Sequence, residues 1–340
     1  MPRHSLVTGA TGFIGRVLTA RLRDRGDCVR IVSRRADVQR RTQRDLRVAG
    51  DVRHYSLDLT SPAALPPGLL DGVDVVFHLA GKAHALSEQR SANDAEYQAA
   101  NVDSTARLLE AAVAAGVSTF VFVSSAKAAG EPAKWNGAPL DEGVDLPPDT
   151  PYGRSKRAAE ELVLIAGQRH GLHVCNLRPT LVYGPGVKGN LHKMLHAIDH
   201  RRFPPLPDVG NRRSLVYVGD VARAALLAAA APEAAGQTYL VTDGQEYSTY
   251  RLYTAAAAAL DRRMPTVTTP MWALSSAAKA GDAVWRLTGR RAPIDSPALD
   301  RLVESAWYSS SKITRSLGYR PVHTFETALP AMVARYRADR

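Results

Sequence analysis

Short apolar runs alternate with stretches of helical spacing from the start of the chain. SLVTG leads into a helical pattern from about Gly12 to Arg25, and CVRIV, VRHYSL and VDVVFHLA follow as strand candidates. A long helical pattern near residues 95–115 then gives way to STFVFVSS. Apolar runs bounded by turn residues read as buried strands, and periodic stretches between them read as crossover helices. The alternation predicts an α/β fold with a doubly wound parallel sheet covered by helices on both faces. RAAEELVLIAGQ continues as helix, and LHVCNLRP is another candidate central strand. Beyond Thr180 the pattern changes to Pro and Gly clusters (YGPGVKGN, FPPLPDVG), a helix VARAALLAAAA, a strand QTYLVT, and then mostly helical sequence. The expected organisation is a nucleotide-binding domain over residues 1–180 and a smaller, mostly helical substrate region over 181–340. Residues 215–242 are expected to return to the first domain.

Composition changes this picture little. The 340 residues are 45% hydrophobic and 23% charged, the balance of an ordinary soluble globular protein. No run approaches the roughly 20 apolar residues of a bilayer span. MPRHSLVTGATG moves straight into a strand pattern without a signal-peptide core, so a cytoplasmic protein with no integral membrane segment is expected. Cys28 and Cys175 each sit in an apolar strand pattern, which suits reduced thiols better than a disulfide framework or a metal site. The net charge of +11 is compatible with nucleic acid, an anionic membrane surface or small polyanionic ligands. The densest basic run, RRADVQRRTQRDLR, has no interleaved aromatic residue to stack on bases and reads as solvated surface, so nucleic acid is not an expected partner. The stretch KAGDAVWRLTGRR is compatible with membrane-surface association, although a helix capping the substrate site is the plainer account.

Candidate chemistry begins at VTGATGFIG, between the first strand and the first helix. Glycines 9, 12 and 15 let the chain turn tightly and bring backbone N–H groups and a helix N-terminus close to a pyrophosphate. This placement is the Rossmann-like dinucleotide fingerprint. The second strand ends about twenty residues on, where an acidic residue would select NAD. Ser33, Arg34 and Arg35 stand there instead, and a guanidinium suits a 2′-phosphate, so NADP(H) is preferred, with NAD(H) kept open by Asp37. Asp58, with Leu59, is placed to meet adenine or simply to cap its loop.

PYGRSK sets Tyr152 and Lys156 one helical turn apart, after a proline suited to a first turn. A phenol ionises near pH 10 and needs a nearby cation to shuttle protons at neutral pH. Lys156 is placed to supply that charge, while the pair alone would equally suit ordinary helix surface.

TGATGFIG, HLAGKAH, Asn101, VSSAKAAG and YGRSK together resemble the extended short-chain dehydrogenase/reductase family of nucleotide-sugar epimerases, dehydratases and reductases. The likeness runs on through LRPTLVYGPG and NRRSLVYVGDVA to SKITRSLGY. It implies Tyr152 as general acid/base, Lys156 holding the nicotinamide ribose and lowering the Tyr152 pKa, and Ser125 hydrogen-bonding the reacting oxygen. Ser125 is preferred to Ser124 because it stands five residues before Gly130. The implied cofactor contacts are Gly9, Thr11, Gly12, Phe13, Ile14, Gly15, the Ser33–Arg35 and Asp58–Leu59 positions, Leu79, Ala80, Gly81, Asn101 and Pro179. Asn101 would equally serve as a structural residue. On the UDP-sugar side the likeness implies His84, Ser125, Lys127, Asn190, Leu191 and Arg213, with Arg212 as rival to Arg213. Leu181 departs from the asparagine often found at that position.

Dehydratases of this family carry an acid pair after the catalytic Ser or Thr, because eliminating water needs its own acid and base. Ala126 and Lys127 stand there, which argues against a dehydratase. The resemblance, with Arg34, points first to a reductase for the C4 ketone of a UDP-4-keto-6-deoxy-N-acetylhexosamine in surface polysaccharide (O-antigen or capsule) biosynthesis. A UDP-glucose or UDP-N-acetylglucosamine 4-epimerase with tightly bound NAD is the alternative, and a non-enzymatic NADP-sensing regulator a remote one. The helices near 95–115 and 152–168 are where the resemblance implies a homodimer.

Overall fold

The computed structural model describes residues 2–34, 52–61, 63–83, 94–131, 137–289 and 295–339. Its centre is a sheet of seven parallel strands. In chain order they are β1 (His4–Thr8), β2 (Cys28–Ser33), β3 (Val52–Ser56), β4 (Val75–His78), β5 (Thr119–Val123), β6 (His173–Pro179) and a last strand, Gln237–Val241. From edge to edge the order is β3, β2, β1, β4, β5, β6 and Gln237–Val241. The chain therefore runs outward from β1, returns across it, and continues outward from β4. At that reversal the connections leave in opposite directions and open a crevice at the C-terminal ends of β1 and β4. The register sets Thr8 level with Val32 on one side and His78 on the other.

Both faces of the sheet are buried, which is why its strands read as continuous apolar runs. Val7, Ile31, Phe77, Val121, Cys175 and Tyr239 pack on one side against α1 (Phe13–Asp24) and the helix Val218–Ala230. Their strand neighbours Leu6, Val32, Val76, Phe120, Phe122 and Val174 pack on the other, against Leu108, Leu109, Ala112, Ala159 and Val163. Alternate strand residues thus serve two separate cores. Cys175 is buried and Cys28 half-buried, both as free thiols, and burial pushes the Cys175 thiol up to about 12.

The long helix foreseen near residue 95 is not one regular helix. An opening turn, α2 (Asp94–Tyr97), passes through a π-helical turn at Gln98–Asp103 into α3 (Ser104–Ala114). The PYGRSK segment opens α4 (Pro151–His170): the Thr150 hydroxyl accepts from the Gly153 N–H at 3.0 Å, Pro151 fills the first turn, and Gly171 ends the helix at φ 65°. After β6 come β7 (Leu181–Tyr183), α5 (Gly189–Asp199) and β8 (Leu215–Tyr217), with β7 and β8 forming a separate two-stranded parallel ribbon. The chain rejoins the main sheet through α6 (Val218–Ala230) and then Gln237–Val241, now β9. The remaining elements are helices: α7 (Thr249–Ala259), α8 (Met271–Thr288), α9 (Ser296–Val303), α10 (Ser311–Leu317) and α11 (Phe325–Ala338). A polar knot fastens this part: the buried Asp243 carboxylate accepts from the Tyr183 and Tyr247 hydroxyls at 2.9 and 2.8 Å, and the Tyr247 oxygen accepts from the Phe325 N–H.

Behind the crevice, Arg178 of β6 meets Glu160 of α4 through its Nε and a terminal nitrogen, at 2.6 to 3.1 Å, with the Glu160 side chain only 2% exposed. Losing one partner of such a pair strands a buried charge and costs about 3–5 kcal/mol. Arg178→Met is accordingly expected to lower the unfolding free energy by about that amount in urea denaturation, and Arg178→Met/Glu160→Leu to recover most of it. A single variant as stable as the parent would contradict the pairing.

Candidate active site

The glycine loop is shaped by the space it leaves. Gly9 adopts φ +66°, and a Cβ there would stand 2.8 Å from the Ala80 nitrogen; one at Gly15 would lie 2.2 Å from the Gly9 oxygen. Only glycines let β1, the end of β4 and the first turn of α1 approach so closely. No side chain caps the N-terminus of α1, so its first N–H groups face the crevice. A bare helix terminus with a backbone cradle suits a pyrophosphate, and the loop fits a bound dinucleotide. Thr11 is exposed beside this cradle. Phe13 and Ile14 serve as packing residues as well, Phe13 beside the C-terminal core and Ile14 against the α1 face of the sheet.

A buried relay ties this loop to the catalytic side. The Thr105 hydroxyl spends its hydrogen on the Asn101 carbonyl at 2.7 Å, so towards His78 Nε2, 2.9 Å away, it can only accept. Nε2 therefore carries the ring proton, and Nδ1 accepts from the Thr8 hydroxyl at 2.7 Å. The Thr8 oxygen in turn accepts from the Leu79 and Ala80 N–H groups at 3.2 and 3.1 Å. Burial, with the nearby Lys156 charge, pushes His78 down to about 3, so the ring stays neutral as the relay requires. Asn101 lies within the π-helical turn, a distortion frequent at functional sites. Its side-chain oxygen accepts from the Lys82 N–H at 2.8 Å and its amide donates to Ser155 Oγ at 2.9 Å. A Cβ on Gly81 would stand 2.5 Å from that same oxygen and 3.8 Å from Lys156 Nζ, so Gly81, Asn101 and Lys156 converge.

The structure brings Ser125, Tyr152 and Lys156 together. Ser125 stands two residues beyond β5 and caps the 3₁₀ turn Ala126–Ala129, accepting from the Lys127 N–H at 3.3 Å. Gly153 lets α4 abut that turn, because a Cβ there would lie 2.7 Å from the Lys127 oxygen. Tyr152 is thereby hydrogen-bonded to the Ser125 side chain, and its ring packs 6.0 Å from that of Tyr97. Burial raises the Tyr152 phenol above its usual value, with the Ser125 hydrogen bond pulling the other way. The lowering by Lys156 expected from the sequence is not the balance found. The Lys156 ammonium instead donates to the Val123 carbonyl at 3.0 Å and lies 4.2 Å over the Phe122 ring, and burial pulls it down to about 8 against the Glu160 carboxylate.

At the adenosine end, Ser33 is turned into the sheet, its hydroxyl 2.8 Å from His54 Nε2. Arg34 is exposed, and its charge helps the Thr60 hydrogen bonds hold the Asp58 carboxyl below its usual range. Asp58 Oδ1 accepts from the Thr60 N–H and hydroxyl, the loop-capping arrangement, while Leu59 is buried under it. Arg35, Asp37 and His84 lie outside the described residues. Pro179 ends β6. At the substrate end, Asn190 is exposed in the first turn of α5, but the Leu191 side chain belongs to the C-terminal core. Lys127 is paired with Glu131 at 2.7 Å. Arg213 donates to Thr249 Oγ1 and to the Arg301 and Glu304 carbonyls, so a diphosphate would have to draw it from those oxygens. Its rival Arg212 pairs with Glu246 at the surface and lies over the Trp307 ring. Thr8, His78, Thr105 and Ser155 escaped sequence reasoning; the one signal was a histidine closing the apolar run VVFH. Among the described residues no group of three or more side chains is set to hold a metal ion.

Two outcomes follow from this geometry. Gly9→Ala forces both the backbone angle and the contact with Ala80, and is expected to weaken dinucleotide binding at least about fivefold by fluorescence titration, given the strain of about 1–3 kcal/mol. Burial pulls Lys156 down to about 8 from the 10.5 of a free lysine. Between those values the unfolded chain holds a proton that the folded chain has lost, so Lys156 makes the fold gain stability as pH rises from 8 towards 10.5, by up to about 3 kcal/mol. Lys156→Met should remove that rise from the difference between the two chains' unfolding free energies; parallel curves would refute the assignment.

Residues 5–242 match the family model of the NAD dependent epimerase/dehydratase family. A UDP-glucose 4-epimerase from Vibrio cholerae is 30% identical over 332 residues, covering 96% of this chain and 93% of the relative. A 3-beta-hydroxysteroid dehydrogenase from Mycolicibacterium neoaurum is 26% identical over 350 residues, covering 97% and 90%. The solved structure of MoeE5 in complex with UDP-glucuronic acid and NAD superposes with a TM-score of 0.76 at 26% identity, covering 99% of this chain and all of that one. The chain belongs to the NAD dependent epimerase/dehydratase family and is an NAD(P)-dependent enzyme of the extended short-chain dehydrogenase/reductase type.

Proposed function

We propose that this enzyme is a 4-epimerase for a UDP-hexose, UDP-glucose or UDP-N-acetylglucosamine, working with tightly held NAD. The observation that carries the reading is the hydrogen-bonded Ser125–Tyr152 pair beside Lys156 at the crevice, followed by Ala126 and Lys127 where an elimination would need an acid pair. The similarity to the Vibrio cholerae 4-epimerase supports it and favours it over the reductase to which the sequence first pointed. NAD, held by the glycine loop and Lys156, would supply hydride transfer at C4 of the sugar. Tyr152 and Ser125 manage the proton on the C4 oxygen: as phenolate Tyr152 would take the hydroxyl proton while the sugar is oxidised, and as phenol return it while the ketone is reduced, with Ser125 holding both in line. Lys156 orients the nicotinamide ribose, with Gly81 and Asn101 holding its position. Arg213 and Asn190 are the groups assigned to the nucleotide diphosphate end.

A second reading, a 4-keto reductase using NADPH on a UDP-4-keto-6-deoxy-N-acetylhexosamine, is favoured by one feature: the exposed Arg34 at the end of β2, suited to a 2′-phosphate. The groove between α3 and α4, lined by Leu109, Val113, Leu162, half-buried Ala166 and the 41% exposed Ile165, is where a second copy would pack in a homodimer.

The deciding assay incubates purified protein with UDP-glucose and no added cofactor. Formation of UDP-galactose, with NAD released on denaturation, is expected. Oxidation of added NADPH by the 4-keto sugar, with no epimerisation of any UDP-hexose, would replace the proposal by the reductase. Tyr152→Phe should cut turnover by about 100- to 10,000-fold while leaving dinucleotide binding in place.

A further inference from the structure

Helix α8, Met271–Thr288, is apolar on the wrong side. Its inner face, Leu274, Ala278 and Gly281, is buried, and Leu274 and Ala278 pack with Leu206 and Leu299. An ordinary surface helix would turn charged residues outward. Here the outward residues include Trp272, Ser276, Ala277, Ala280, Ala283, Val284 and Leu287, all exposed, with Trp272 at 74% and Leu287 at 85%. At about 100° per residue, Trp272, Ser276, Ala280, Ala283 and Leu287 fall on one stripe along the helix. Val267, just before the helix, is 75% exposed as well. Four of the eight large apolar side chains most exposed among the described residues, Val267, Trp272, Val284 and Leu287, therefore lie in this one segment.

The charges say what would cover that stripe. Lys279 and Arg286 are exposed along one edge of it, and the helix's single acid, Asp282, is turned to Ser296, whose hydroxyl donates to it at 2.6 Å. The chain as a whole carries a net charge of +11. An apolar stripe bordered by cations and begun by a tryptophan is the form of a helix that lies in a bilayer interface. No helix of the described residues is long and apolar enough to cross a membrane, so lying on it is the mode this helix allows.

We propose that α8 docks the enzyme onto an anionic lipid surface, with Trp272, Val284 and Leu287 entering the interface and Lys279 and Arg286 meeting the headgroups. The outward stripe lies on the side of α8 opposite its packing face, so it remains available while the core is intact. The proposal stands apart from the choice between epimerase and reductase.

The test is co-sedimentation of the full chain with vesicles of phosphatidylcholine alone and of phosphatidylcholine with phosphatidylglycerol, followed also by tryptophan emission. Binding to the anionic vesicles only, weakened by salt and accompanied by a blue shift, is expected. Lys279→Glu/Arg286→Glu should lower the partition coefficient by at least about 25-fold, near fivefold for each cation, and Trp272→Ser/Leu287→Ser should abolish the blue shift. Unchanged dinucleotide binding and thermal midpoint in these variants keep misfolding from imitating the result. Equal binding by the Trp272→Ser/Leu287→Ser chain would overturn the proposal. So would a parent chain that ignores anionic vesicles, including the case in which it self-associates in a manner lost in that variant, which would give the face to a second copy.

Discussion

The histidine at the end of β4 has no route to water, and every hydrogen bond around it must be made within the protein. His78 is fully buried between Thr8 and Thr105, and a buried polar ring left half satisfied would cost more than an apolar one. The relay that satisfies it has one consistent direction, from the Leu79 and Ala80 N–H groups through Thr8, His78 and Thr105 to the Asn101 carbonyl. That direction links the end of β1, the end of β4 and the π-helical turn into one piece. The glycine loop leans on that piece through Gly9, and Lys156 reaches it through Gly81 and Asn101. The cofactor cradle and the proton-handling groups are therefore held by the same buried network.

Electrostatics on α4 follow a second alternation. Tyr152, Lys156 and Glu160 succeed one another at single-turn spacing, and Glu160 is answered by Arg178 from β6. Lys156 is pulled towards losing its proton by burial and held to it by Glu160. The buried ion pair thus does more than join helix to strand: it sets a negative charge one turn behind Lys156. Burial meanwhile raises the Tyr152 phenol above its usual value, with the Ser125 hydrogen bond pulling the other way.

The C-terminal third is held differently. Its core is built on Tyr183, Tyr247, Phe325 and Leu329, fastened by Asp243, and it shares Phe13 with the glycine loop region. Within it Arg213 is hydrogen-bonded to the carbonyls of α9 and the turn after it. The outward side of α8 belongs to the same region and exposes Trp272, Val284 and Leu287.

By itself the sequence determined the parallel sheet, because apolar runs alternating with helical spacing admit few other architectures, and it singled out the glycine loop and Ser125, Tyr152 and Lys156 as candidates by their spacing. It also marked the PYGRSK segment as a helix start, for which Thr150, Pro151 and Gly153 are sufficient. Only the tertiary structure decided what each group is next to. Asn101 sits in a π turn rather than a regular helix because its carbonyl and amide serve Thr105, Lys82 and Ser155, none of which periodicity reveals. Leu191 went to the core and Ser33 to His54, although motif position had suggested ligand contacts for both. The pKa balance at Tyr152 and Lys156 was likewise out of reach, since it depends on how deeply each is buried and where the ammonium points, and these are set by residues far apart in the chain.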